Sequence, residues 1–298
     1  MRIQRRLWVF IGILVLGGSC SAQGEQKSGE KPRIALSILP QNYFARRIGG
    51  DFIETVVLTG PGQNPHDYEP SPRQMAELAT SAVWILSGTE FELSLQPKVA
   101  ALFPDLRIID GVAGVQFRLL DEGDEHEGAD DPDEHGIDRH TWLGREPAKI
   151  MATHIMEALC ALDGEQAEYY RNNCQELIYD IDELFDSLGR DLAHLRGSTV
   201  FVYHPAFGYF FDEFGITQTA VEVGGKEPTP RALASLIHEA YTLSPSVIFA
   251  QAQFPVQTAE TLAQALGMRV VLLDPLAEDW LDTIRAMGQA LLEMDAKQ

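Results

Sequence analysis

Residues 165–195 read E-Q-A-E-Y-Y-R-N-N-C-Q-E-L-I-Y-D-I-D-E-L-F-D-S-L-G-R-D-L-A-H-L, with no Pro and with Gly189 as the one breaker. Apolar residues recur at helical spacing: Tyr170, Cys174, Leu177, Ile181, Leu184, Leu188, Leu192 and Leu195. At 1.5 Å per residue, roughly 30 residues span about 45 Å, longer than a typical domain helix and enough to join two domains. On either side the pattern alternates short β-branched runs with helical ones. Before it, strands are predicted at 33–39, 52–58, 83–87 and 106–110, with helices at 43–49, 73–80 and 95–103 and an amphipathic helix at 147–162. After it come strands at 199–203, 217–223, 247–250 and 270–273, and helices at 207–214, 230–243, 256–266 and 277–294. Alternation of this kind predicts parallel sheets covered by helices. The expected fold is therefore α/β: an N-terminal lobe (32–163), a linking helix (164–196) and a C-terminal lobe (197–298), each lobe built on a parallel sheet.

Composition agrees. A chain of 298 residues predicts about two domains. A hydrophobic share of 45% is close to the globular average of about 45–50%. The net charge of −21 removes nucleic acid and anionic lipid surfaces as partners, because both need a basic footprint.

The first twenty residues read as an export signal. Arg2, Arg5 and Arg6 precede an apolar run at 7–16, too short to span a membrane. Gly17-Gly18-Ser19 then lead to Cys20, as in a bacterial lipobox, although Gly17 stands where Leu is usual. Cys20 is thus the expected lipid anchor of an exported protein, periplasmic or on the cell surface, with the polar stretch 21–31 as its tether. The mature charge would be −24. Cys160 and Cys174 lie in helical segments, where an oxidising compartment permits a disulfide and two buried thiols serve equally well.

The segment 119–137 breaks the rhythm. Residues 121–135 hold nine carboxylates, His126, His135 and no large apolar side chain, so they read as a loop. Two readings stand: a solvated charge run, or a weak cation collector using Asp124, Glu125, His126, Asp133, Glu134 and His135.

Of the eight His, His154, His194 and His238 sit in helical segments among polar neighbours and read as surface residues. His66 (N-P-H-D-Y-E-P), His140 (D-R-H-T-W) and His204 (V-Y-H-P-A-F-G-Y-F) follow strands or lie in loops, as does Asp274 (L-L-D-P-L). Ligands of open α/β sheets bind beyond the carboxyl ends of the strands, where these four side chains could converge between the lobes. Three imidazoles and a carboxylate suit zinc, whereas manganese wants more oxygen donors. Spacing alone leaves a metal site and scattered loop His as equal readings.

The motifs at 65–72, 138–143, 204–210 and 273–276 occur in the order found in the metal-binding lipoproteins of bacterial zinc/manganese ABC importers, the solute-binding protein family 9. The resemblance covers residues 32–298. It implies a monomeric substrate-binding protein that captures a divalent metal and delivers it to a membrane permease and its ATPase. By motif position it implies His66, His140, His204 and Asp274 as ligands. It points to Zn2+ over Mn2+, since manganese-selective relatives often carry a carboxylate at the place of His204. A surface-adhesin role is also proposed for some relatives. The chain departs from the family at Arg139, where Pro is usual, at Gly144-Arg145-Glu146-Pro147, where the family reads Ser-Pro, and at Gln251-Ala252, where Glu-Pro is usual. A zinc hydrolase is disfavoured, because H-E-x-x-H is absent: His238-Glu239 is followed by Thr242, not His. No catalytic residue is expected.

Overall fold

The computed structural model describes residues 31–120, 136–222, 229–243, 247–254 and 256–295. The expected signal sequence with Cys20, and the acidic residues Asp124, Glu125, His126, Asp133, Glu134 and His135, lie outside them.

The first lobe holds β1 (Arg33–Leu36), α1 (Leu39–Gly49), β2 (Glu54–Val57), α2 (Pro72–Ala79), β3 (Val83–Leu86), α3 (Glu90–Leu102) and β4 (Arg107–Asp110). Then follow α4 (Arg145–Leu162) and the long α5 (Ala167–Asp191). The second lobe holds β5 (Thr199–Val202), α6 (Gly208–Phe214), β6 (Thr217–Ala220), α7 (Pro230–Leu243), β7 (Val247–Gln251), α8 (Val256–Leu266), β8 (Arg269–Leu273) and α9 (Trp280–Asp295). Both sheets are parallel and share one order, β2-β1-β3-β4 and β6-β5-β7-β8. The central strands β3 and β7 are buried throughout, as expected of strands covered on both faces.

Several boundaries differ from the sequence reading, and three of the elements show why. Helix α1 starts at Leu39 and takes Pro40 into its first turn, where a missing N–H costs nothing. Helix α3 starts at Glu90 rather than 95, because Glu90 and Glu92 favour a helix N-terminus, and Pro97 lies inside it. Helix α5 is shorter than 165–195: its 25 residues, about 37 Å long, are flanked by 3-10 turns at Gly164–Gln166 and Ala193–Leu195.

The apolar face foreseen for α5 is buried, and it joins one core that runs through both lobes. That core includes Leu36 of β1, Ile155 of α4, Leu177 and Ile181 of α5, Val202 of β5, and Ile284 and Met287 of α9. On the first lobe's side, Asp180 of α5 receives Arg47 of α1 at 2.6 Å, and Asn173 donates to Ile48 O. On the other side α5 meets α9 at Gly288, where an added Cβ would lie 2.3 Å from Leu188 Cδ2. Two indoles complete the seam: Trp142 Nε1 donates to Pro275 O at 2.8 Å, and Trp280 Nε1 donates to Trp142 O at 2.7 Å. A buried core of this extent opposes a large hinge movement. No helix among the described residues is long and apolar enough to cross a membrane.

Candidate metal centre

His66 lies in the Pro-rich loop between β2 and α2. Its N–H donates to Asn64 Oδ1 at 3.1 Å, while Tyr68 Oη and Gln74 Nε2 both donate to Leu58 O at 2.6 Å and tie the loop down. His140 precedes the 3-10 turn Thr141–Leu143 that carries Trp142 into the seam. His204 follows β5 and is bridged to β7 by Gln251, whose Oε1 accepts from His204 N at 3.4 Å and whose Nε2 donates to His204 O at 2.8 Å. The Phe254 ring stacks on His204 at 4.5 Å. His140 and His204 are buried, and the His66 side chain is half-buried.

The three rings converge. Nε2 of His66 lies 3.0 Å from Nε2 of His204, which lies 3.1 Å from Nε2 of His140. Ligand nitrogens on a tetrahedral zinc, at 2.0–2.1 Å from the ion, stand about 3.3 Å apart. The cluster is therefore close to a metal's own dimensions.

Each ring is oriented from behind by a carboxylate. His140 Nδ1 meets Asp138 Oδ1 at 2.8 Å, His66 Nδ1 meets Glu90 Oε2 at 3.1 Å, and His204 Nδ1 meets Glu222 Oε1. An ionised carboxylate only accepts, so each Nδ1 carries the proton and each Nε2 presents its lone pair. Three lone pairs facing one another repel unless a cation sits among them. This carboxylate–imidazole pairing is the usual support of metal-bound His.

Burial pushes the His66 pKa down, but Glu90 beside it, with Glu222 and Asp67, outweighs burial and leaves it above its ordinary value. Burial pushes Glu90 up, yet the attraction of His66, with a further pull from His140, holds it at about 2. Asp138, fully buried, is also held by Arg118, whose Nη1 donates to Oδ2 at 2.8 Å while its Nε reaches Asp212 of α6 at 3.0 Å. Arg118 lies over Gly208, where an added Cβ would fall 2.0 Å from Nη1.

Residues 34–294 match the family described as ZnuA, the periplasmic component A of the zinc-uptake complex. The chain belongs to the ZnuA family. It is 25% identical to a putative metal-binding protein of Chlamydia trachomatis serovar D, over 96% of this chain and 99% of that one. It is also 25% identical to the high-affinity zinc uptake system protein ZnuA of Bacillus subtilis (strain 168), over 90% and 85%. Among solved structures it resembles a ZnuA crystal structure with a TM-score of 0.81 and 30% identity, covering 89% of this chain and 99% of that one.

Within this ZnuA-family chain, the candidate ligands separate. Among the described residues, the ligand atoms that lie within 4.8 Å of one another belong to His66, His140 and His204. Asp274 stands outside that group: its Oδ1 accepts from Gln253 Nε2 at 2.6 Å and from Leu276 N at 3.0 Å. His194 and His238 are exposed, and His154 Nε2 lies 3.0 Å from Ala113 O. Cys160 and Cys174 do not form a disulfide. Each faces a different helix-end or mid-helix carbonyl, Ala167 O and Ala152 O, and both thiols are free. The sequence reading missed Glu90, Asp138 and Glu222. All three were findable, because Asp138 lies two residues before His140 and the other two follow β3 and β6, at the same strand ends that drew attention to the His.

Proposed function

We propose that this protein captures extracytoplasmic Zn2+ and hands it to a membrane permease driven by an ATPase, with no bond made or broken. The observation that carries the reading is the meeting of three imidazoles whose ligand atoms lie within 4.8 Å of one another, with His204 Nε2 at 3.0 and 3.1 Å from the other two, each ring backed by a carboxylate. Three imidazole nitrogens with at most one oxygen favour zinc over manganese, which wants more oxygen donors. Asp274, expected as a fourth ligand, accepts from Gln253 beside the cluster and stands in reserve. We place the protein outside the cytoplasm as a monomer held by lipid on Cys20. The acidic loop with His126 and His135 would raise the local cation concentration. The continuous core favours release by local movement of the His66 and His140 loops, triggered by docking on the permease.

The test is a competitive titration of the purified mature protein with zinc and manganese against a chromophoric chelator. The proposal expects one zinc bound per chain and markedly weaker manganese, as the nitrogen donors and the order of divalent-metal affinities require. Equal or stronger manganese binding would transfer the role to manganese uptake. Binding of neither would end it.

A further inference from the structure

Beside the three imidazoles lies a polar pair that they do not use. Gln253 and Asp274 follow the adjacent strands β7 and β8. Gln253 Nε2 donates to Asp274 Oδ1 at 2.6 Å. Because a carboxylate only accepts, this partner fixes the amide: Nε2 faces Asp274 and Oε1 faces away from it. Oε1 is buried and has no hydrogen-bond partner among the described residues. Gln253 lines the same small cleft as His66, His140 and His204, and its neighbour Phe254 is stacked on the His204 ring. A buried acceptor without a donor is destabilising, so this position asks for a donor or a cation. Asp274 is in the opposite condition: its Oδ1 already serves Gln253 and the backbone of Leu276.

We propose that Gln253 decides what fills the fourth position of the bound ion. Its Oε1 accepts a hydrogen bond from a metal-bound water, and its Nε2 holds the Asp274 carboxylate out of the coordination shell. This deepens the metal-binding reading and rests on it. Three neutral imidazoles and an exchangeable water hold an ion less firmly than a set that includes an anionic oxygen. They also leave one position at which a receiving donor can enter. Gln253 therefore sets the site for transfer rather than for permanent retention, with Asp274 as a ligand in reserve.

The experiment is a double-mutant cycle on the mature protein: wild type, Gln253→Leu, Asp274→Asn and the double variant, with Gln253→Ala as a second version of the first. Circular dichroism and thermal melting check that each is folded. Zinc affinity is read by chelator competition, and the fourth donor by the visible spectrum of the cobalt(II)-loaded protein. Removing Gln253 frees Asp274 to coordinate, so zinc binding should tighten about tenfold and the cobalt spectrum should change. Asp274→Asn should then weaken zinc about tenfold more in the Gln253→Leu or Gln253→Ala background than alone, and should restore the wild-type spectrum. Additive effects within about twofold, or an equal loss from Asp274→Asn in both backgrounds, would overturn the role of Gln253 while leaving zinc capture intact. A wild type that binds no zinc would instead overturn the reading on which it rests.

Discussion

The two sheets share a strand order but use the point where that order reverses in opposite ways. In the first lobe the crevice between β1 and β3 is plugged. Gln41 Oε1 accepts from Ser37 N at 2.8 Å, and Gln41 Nε2 donates to Leu86 O at 3.0 Å, so the fully buried amide spans both strand ends. In the second lobe the same crevice lies between β5 and β7. There the bridging amide is Gln251, placed on the strand itself, and the space beyond it holds the His204 ring. The fold supplies this location twice. Which side chain stands at the strand end decides whether it becomes a seal or a metal ligand. The first lobe contributes instead through its next loop, with His66, and through Glu90 after β3.

The sharpest way to break this comparison is to alter both crevices. His204→Ala should cost zinc affinity more than about 100-fold, beyond the usual loss from an orienting partner. Gln41→Leu should leave zinc affinity within about twofold while lowering stability by about 1–3 kcal/mol, since it orphans buried backbone groups. Chelator competition and denaturant unfolding measure the two. Loss of zinc binding from Gln41→Leu in a folded protein would mean that the crevices are not functionally distinct.

Next in size are the orienting carboxylates. Glu222→Leu should weaken zinc by about 10–100-fold, because His204 loses the acceptor that fixes its tautomer. Gly208→Ala should act on His140 from a distance. The new methyl displaces Arg118 from Asp138 and should reduce zinc affinity about tenfold without touching a ligand. An unchanged affinity would show that Arg118 supports the lobes and not the site.

The smallest effect is a pH shift. A protonated imidazole cannot ligate, so zinc binding is complete above the His66 pKa and is lost as pH falls through it. Because Glu90 raises that pKa, the loss should begin above the ordinary His value of about 6.5. Glu90→Gln removes the main upward influence and leaves burial, so the midpoint of zinc release should move to lower pH. A midpoint that rises would contradict the assignment of Glu90 as the partner of His66.

Much of this was legible in the chain because the relevant signals are local. Periodicity located each strand among the described residues and the spine helix, and strand-end position singled out His66, His140 and His204. Shifted helix ends such as Leu39, Glu90 and Asp191 depend on caps and first-turn charges that a hydrophobic pattern does not register. Asp274 illustrates a different limit. Its place beyond β8 is readable, but whether its carboxylate faces the ion or Gln253 is a matter of tertiary hydrogen bonding. The pairing of Glu90 with His66 and of Glu222 with His204 likewise joins residues far apart in sequence. The free state of Cys160 and Cys174 depends on how α4 and α5 are rotated against each other, which spacing does not fix.

The most direct test of the account is zinc K-edge X-ray absorption on the loaded mature protein. The account predicts three imidazole nitrogens at about 2.0–2.1 Å and one oxygen donor in the first shell. Fewer than three imidazoles, or sulfur in the shell, would contradict it.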